Sequence, residues 1–407
     1  MGVGRFTCPA IDPRAFGWGR ANRHEHTGGE WMRPASTAAR VTSQIIVDNR
    51  IGLTQLKRIR LLRQGFVGGT VGGMNPPRAT DRDYIDFLVG TPRQASACEA
   101  ARVQPASPRA PAHDAFTRLL ARLEPDPETL WLEVRPHVRR AGGILIVDDT
   151  VLDKPYAHKM GLVGPFWSGK HKRVVRGIDL VTLAWSDGDA VYPVDYRLVD
   201  PAEAPKKNKN EHFREMLVTA KTRSLTPRYV CFDSWYSSKE NLKAVRTHGW
   251  HFLTQVRSNR RVNRDRTGNK SISEQPITAA GTVVHVEGFG LVKAFRIVAP
   301  NGDTEHWITN DLSMDELARV THAQLGWNIE EYHRALKQFT EVERCPARLA
   351  RSQRNHIGFA LRAFVRLEWH RYTTGVTWFE AKWGIIRAAV RAYLVNPIYN
   401  FPESATA

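Results

Sequence analysis

Asp148 closes the apolar run Gly-Ile-Leu-Ile-Val at 143–147, and Asp233 closes a second, Tyr-Val-Cys-Phe, at 229–232. Glu330 lies in Trp-Asn-Ile-Glu-Glu-Tyr-His-Arg-Ala-Leu-Lys-Gln at 327–338, whose apolar spacing predicts a helix. A carboxylate at the end of a buried strand loses hydration and needs a partner. Two such strands and one helical Glu, in a very basic chain, predict a carboxylate cluster that holds divalent metal against a polyanion. Phosphodiester cleavage is the matching chemistry, since two ions ~3.5–4 Å apart serve both the attacking and the leaving oxygen. Mg²⁺ and Mn²⁺ favour carboxylate oxygen and keep several waters, so few protein ligands suffice. The expected cofactor is two Mg²⁺ (or Mn²⁺) ions, with Asp148, Asp233 and Glu330 as both the catalytic and the metal-binding residues.

In Ile144-Leu-Ile-Val-Asp-Asp-Thr150, strand alternation puts Ile144, Ile146, Asp148 and Thr150 on one face. Asp149 is the alternative to Asp148. On the third element Glu330, Arg334 and Lys337 share one helical face, with His333 beside them, while Ile329, Tyr332, Leu336 and Phe339 occupy the other. A surface ion pair is the plain alternative for Glu330, and Glu331 is its competitor.

DNA contacts are expected from cationic clusters. Arg334 and Lys337 flank Glu330. Arg344, Arg348, Arg351, Arg354, Arg362 and Arg366 recur at roughly helical intervals and read as a basic helix tracking DNA backbone, the alternative being a solvated face. Lys170, Lys172 and Arg173 form one further cluster, and Lys206, Lys207 and Lys209 another. Gly164-Pro-Phe-Trp-Ser-Gly-Lys170-His171 nearly matches a phosphate-binding loop. His171 stands where Ser or Thr must bind Mg²⁺, and a β-like run follows where a helix is required, so no nucleotide is expected.

The elements that must hold these residues read in order as strand 143–149, strand 174–186, strand 189–198, helix 210–224, strand 228–233, helix 238–248 and strand 250–256. Asp-Gly at 187–188 makes the first hairpin turn. Three antiparallel strands followed by alternating helix and strand is the order of an RNase H-like mixed sheet flanked by helices. A basic loop at 257–266 opens a β-rich insertion over about 257–310, with short strands at 282–287, 291–298 and 305–309. Helix resumes at Met314. Upstream, Thr80 caps a helix carrying Tyr84, Phe87 and Leu88, and further helices are expected at 93–103 and 113–123. The segment 74–140 is thus a small helical domain, either a DNA-binding helix-turn-helix or a plain bundle packed on the core. The catalytic domain is expected over 141–395 and a tail over 396–407. Residues 1–73, rich in Gly, Arg, Thr and Pro, read as a disordered basic arm or as upstream sequence ahead of a start at Met74.

A formal charge of +18 in 407 residues favours a polyanionic partner, nucleic acid above all. The cysteines, Cys8, Cys98, Cys231 and Cys345, form no CxxC pair, which argues against a zinc ribbon or disulfide framework and fits a reducing cytosol. No run reaches the ~18 apolar residues of a membrane span, so no membrane partner is expected.

The Asp-Thr, Asp-x-x-Tyr and Trp-x-Ile-Glu-x-x-x-x-x-x-Lys islands together resemble bacterial insertion-sequence transposases of the DDE superfamily, in the group with a β-insertion before the final Glu. The resemblance covers roughly 80–395. It implies metal-dependent cleavage at the ends of a mobile element, then strand transfer into target DNA. The implied partners are double-stranded DNA at element ends and target, and a second protomer in the DNA complex. The implied location is the bacterial cytoplasm, at the nucleoid. Many relatives read Asp-x-Thr where Asp148 stands, though some place the aspartate directly before the Thr. That group often shows Tyr-x-x-Arg-x-x-x-Glu; here those Tyr and Arg positions are Ala323 and Gly326, which leaves the route of strand processing open. Two other functions fit the same islands: a catalytically silent, transposase-derived DNA-binding protein, and a stand-alone RNase H-like nuclease.

Overall fold

A computed structural model describes residues 77–92, 95–298 and 302–399. The expectations for 1–73, and for most of the tail, lie outside the described residues. The described residues begin with four helices, α1 (Asp81–Gly90), α2 (Ala97–Arg102), α3 (His113–Arg122) and α4 (Pro127–Val134). Thr80 and Asp83 form a reciprocal capping box at the start of α1, as the sequence predicts. The fourth helix was not expected; Asp126 caps it and Pro127 occupies its first turn.

Next come β1 (Ile144–Asp153), β2 (Gly164–Ser168), β3 (Arg173–Ser186), β4 (Val191–Val199), α5 (Lys209–Thr222), β5 (Tyr229–Phe232), α6 (Lys239–Thr247) and β6 (His251–Val256). β1, β3 and β4 are antiparallel neighbours, while β5 and β6 run parallel to β1. The predicted mixed sheet is therefore present. The near-match to a phosphate-binding loop is itself a strand, β2, hairpinned onto the first half of β3.

The β-insertion supplies β7 (Arg261–Asn263), β8 (Lys270–Ser271), β9 (Thr282–Val286), β10 (Gly290–Val298) and β11 (Thr304–Thr309). It is continuous with the central sheet, because β11 pairs antiparallel with β6 and gives the path β2-β3-β1-β5-β6-β11-β10-β9-β7-β8. The chain then forms α7 (Glu316–Gly326), α8 (Asn328–Phe339), α9 (Ala350–Thr374) and α10 (Trp378–Val395). The two helices α7 and α8 meet at exposed Trp327.

α9 is the central strut. It packs against α1, α3, α4, α8, α10 and β4. The buried Tyr84 hydroxyl of α1 lies 3.0 Å from His356 Nδ1, and His356 Nε2 lies 3.1 Å from the Glu341 carbonyl oxygen. A carbonyl can only accept, so Nε2 donates to it and Nδ1 accepts from Tyr84. Asn355 donates to the carbonyls of Leu120 and Leu123 on the other side. These bonds set α1 and α3 as a layer against α9. No helix among the described residues is long and apolar enough to cross a membrane.

Candidate active site

The sheet places the first two carboxylates side by side. β1 and β5 pair in parallel register up to Val147 and Phe232, and Asp148 and Asp233 each follow by one residue. Neighbouring strands lie ~4.8 Å apart, so the register alone brings the two groups to one sheet edge. Successive strand residues point to opposite faces. Asp148 turns toward α8, where its Oδ2 lies 3.6 Å from His333 Nδ1. Ligating atoms of Asp148, Glu330 and His333 all lie within 4.8 Å of one another. Asp149 turns away toward α5. It accepts from Lys209 Nζ and from the Tyr236 hydroxyl, both at 2.6 Å.

Burial pushes the Asp148 carboxyl well above the usual range, and the charges of Asp149, Asp233 and Glu330 push it further. Asp233 is raised by burial and then by Asp149, against two backbone N–H groups and Lys209 that favour its ionised form. Its Oδ1 accepts from the Trp235 backbone N–H at 3.0 Å, which caps the short turn after β5. Burial takes His333 down to about 3, so its ring is neutral. His333 is buried and its Nε2 has no hydrogen-bond partner. Mutually repelling carboxylates next to a neutral, unsatisfied imidazole are a donor set that suits a divalent cation.

Behind this site lies a layer the sequence did not disclose. Lys209 Nζ also sits 3.1 Å from Asp179 Oδ2, and Asp179 is fully buried on β3. Burial and then Asp149 raise Asp179 to about 7. Lys209 remains cationic because Asp149 and Asp179 outweigh its own desolvation. Lys209, the first residue of α5, and Tyr236 therefore fix the Asp149 side chain away from Asp148. The only sequence signal for Lys209 was membership of a basic cluster.

The predicted DNA-binding residues divide sharply. Arg334 is exposed, one turn beyond Glu330. Lys337 is largely buried; it donates to the Val151 carbonyl at 2.7 Å and lies 3.4 Å from Glu343. Lys170, Lys172 and Arg173 are exposed around the β2–β3 turn, with Lys170 3.2 Å from Asp153. Arg344 and Arg348 precede α9, so the expected helix is shorter than the arginine series; both are exposed beside a cleft that also holds Lys154 and Lys159. Arg351 pairs with Glu124 and Arg354 with Asp200.

Arg362 requires a correction. Its side chain is only 12% exposed and its guanidinium binds Glu133 and Asp81, while Arg366 binds Glu133 as well. These arginines tie α1 and α4 to α9 rather than face DNA. Arg362→Gln is therefore expected to lower stability by about 2 kcal/mol, leaving Asp81 without its Arg362 donor and Glu133 with Arg366 alone. Replacing Arg344 and Arg348 by Gln should instead reduce the log–log salt slope of duplex binding by roughly 0.9 for each phosphate no longer neutralised. Denaturant melts and binding titrations at several salt concentrations separate the two effects.

The structure thus brings donor atoms of Asp148, Glu330 and His333 together, while Asp233 lies at the neighbouring strand end and is not part of that group. Residues 77–275, just under half of the chain, match the family model described as DDE superfamily endonuclease. The matched segment includes Asp148 and Asp233 and ends before Glu330. No curated protein matches the chain. Among solved structures, a piggyBac transposase synaptic complex with hairpin DNA is similar at 13% identity and a TM-score of 0.46, over 84% of this chain and 78% of that one. A Drosophila P element transposase strand transfer complex is similar at 10% identity and a TM-score of 0.25, over 50% and 43%. A pre-cleavage Mos1 transpososome gives 12% identity and a TM-score of 0.18, over 84% and 89%.

Proposed function

We propose that the chain is a DDE transposase in which Asp148, Asp233 and Glu330 form the catalytic centre. The observation that supports this reading is the gathering of donor atoms of Asp148 and Glu330 within 4.8 Å, beside a parallel strand that ends in register at Asp233. The three carboxylates would hold Mg²⁺ or Mn²⁺, two ions in all, with Asp148 in the position between the other two elements. Such ions supply charge neutralisation at the phosphorus and at the attacking and leaving oxygens. Water attacks the phosphodiester at the element end, the bond to the 3′-oxygen breaks, and a 3′-hydroxyl is released. That hydroxyl then attacks a target phosphodiester, so one P–O bond forms as another breaks.

The surrounding residues position this chemistry. Lys209 and Tyr236 keep Asp149 pinned, so that only Asp148 of the pair faces α8. His333 Nδ1 lies 3.6 Å from Asp148 Oδ2, beside the proposed centre. Arg334, Lys170, Lys172 and Arg173 are exposed and would receive DNA phosphates, as would Arg344 and Arg348. Two ends must be joined together, so the working assembly contains a second protomer.

A donor plasmid carrying the reading frame with its native flanks tests the reading. Wild-type protein with Mg²⁺ should release 3′-hydroxyl ends at the element boundary and join them to a second plasmid. Cutting without joining would make the chain a nuclease; binding without cutting would make it a silent relative.

A further inference from the structure

The second half of α10 stands clear of the rest of the chain. Its first half is docked: Lys382, the only buried residue of the helix, donates to the carbonyls of Leu88 at 3.1 Å and Phe339 at 3.2 Å, which ties it to α1 and α8. Every residue from Arg387 to Val395 is exposed. Much of what α10 exposes is nevertheless apolar. Phe379, Trp383, Val390 and Tyr393 are 40–49% exposed, and Leu394 and Val395 more so. The bare apolar area of α10 is on the order of 800 Å², above the ~300–600 Å² of the largest patch on a typical monomer and close to what each partner gives to a stable interface. Phe379, Trp383, Ile386, Val390 and Tyr393 follow one another at alternating steps of four and three residues, the spacing of a coiled-coil seam.

We infer that α10 is a self-association helix that pairs antiparallel with α10 of a second copy of this chain. The charges beside the seam set the direction. Phe379, Ile386 and Tyr393 take the d positions of a heptad and Trp383 and Val390 the a positions, so Glu380 and Arg387 both fall at e. Both are exposed, and Arg387 lies along the seam, 5.9 Å from the Phe379 ring centroid. In an antiparallel pair e faces e. Setting Trp383 against Ile386 of the second copy then brings Glu380 beside the second copy's Arg387, and the twofold axis repeats the pair. A parallel pair sets e against g, where Arg387 would meet Lys382, a like charge. The seam itself carries no charge, so it fits a second apolar helix rather than nucleic acid, which is held mainly through Lys and Arg. The inference rests on the reading above for the use of the dimer, since joining two ends calls for two protomers, and it names the surface that holds them.

The test is the mass of the full-length protein in solution, by sedimentation equilibrium without DNA or metal. Wild type should associate to twice the 46.1 kDa of one chain. Trp383→Glu combined with Val390→Glu should be monomeric, with its fold intact by circular dichroism because both positions are exposed. Glu380→Arg should weaken association roughly 3- to 30-fold, the effect of turning two exposed ion pairs into like-charge contacts. Arg387→Glu should weaken it by as much. Carrying both changes in one chain regenerates the two pairs and should restore the wild-type dissociation constant. A wild type that stays monomeric at every concentration, or a Trp383→Glu, Val390→Glu variant that stays dimeric, would overturn the inference. A double charge swap no tighter than either single change would overturn the antiparallel pairing. If the plasmid joining assay fails while association holds, the transposase reading falls alone. If joining succeeds and the wild type is monomeric, the α10 pairing falls alone.

Discussion

Asp148→Asn, Asp233→Asn and Glu330→Gln are each expected to reduce DNA cleavage more than ~100-fold, since even residues supporting a metal ligand cost ~10–100-fold when removed. DNA binding should survive, because affinity comes mainly from Lys and Arg contacts to phosphate. Each substitution is nearly isosteric and removes ionised oxygen from a place where the carboxylates already repel one another. The variants should therefore fold at least as well as wild type. Asp149→Asn behaves differently, because its side chain is held by Lys209 and Tyr236 on the far face. Its cost should appear first in stability, with a smaller loss of cleavage. An active Asp148→Asn beside a dead Asp149→Asn would move the assignment by one residue.

Removal of divalent metal is the second large effect. The donor set is dominated by the carboxylates of Asp148, Asp233 and Glu330, with His333 beside them and no cysteine, which favours oxygen-binding cations. In excess chelator, cleavage should fall at least ~10³-fold, because the ions account for several kcal/mol of transition-state stabilisation. Mg²⁺ or Mn²⁺ should restore it, and Ca²⁺ should support binding without efficient cutting. Gel assays of cleavage and binding on one DNA substrate read both quantities. Cleavage undiminished by chelator would contradict the metal site.

The central sheet was legible in the sequence because its strands carry simple signals. Asp-Gly at 187–188 marks the hairpin between β3 and β4, and the apolar runs into Asp148 and Asp233 mark strand ends. Observed boundaries of β3, β5 and β6 differ from expectation by at most a residue or two. What escaped were elements whose partners are remote. β2 exists by pairing with β3, and its Gly-Pro-Phe-Trp-Ser sequence reads locally as a loop. The short α4 is held by its cap and its packing on β4 and α9 rather than by a long apolar period.

The arginine series shows the same limit within the candidate site. Periodicity correctly put Arg351, Arg354, Arg362 and Arg366 on a helix. It could not show that Glu124, Asp200, Glu133 and Asp81 would meet them from distant parts of the chain. Strand alternation separated Asp148 from Asp149, because adjacent residues on a strand must face opposite ways. The buried layer of Lys209, Asp149 and Asp179 was invisible for the opposite reason: three elements converge there with no local motif.

The most direct measurement is the anomalous diffraction of crystals grown with Mn²⁺. Mn²⁺ is expected within about 2.0–2.3 Å of carboxylate oxygens of Asp148, Asp233 and Glu330, with Asp149 still bound to Lys209. Mn²⁺ held by Asp149 and Asp179 instead, or absent from all three carboxylates at saturating metal, would contradict the assignment of the catalytic centre.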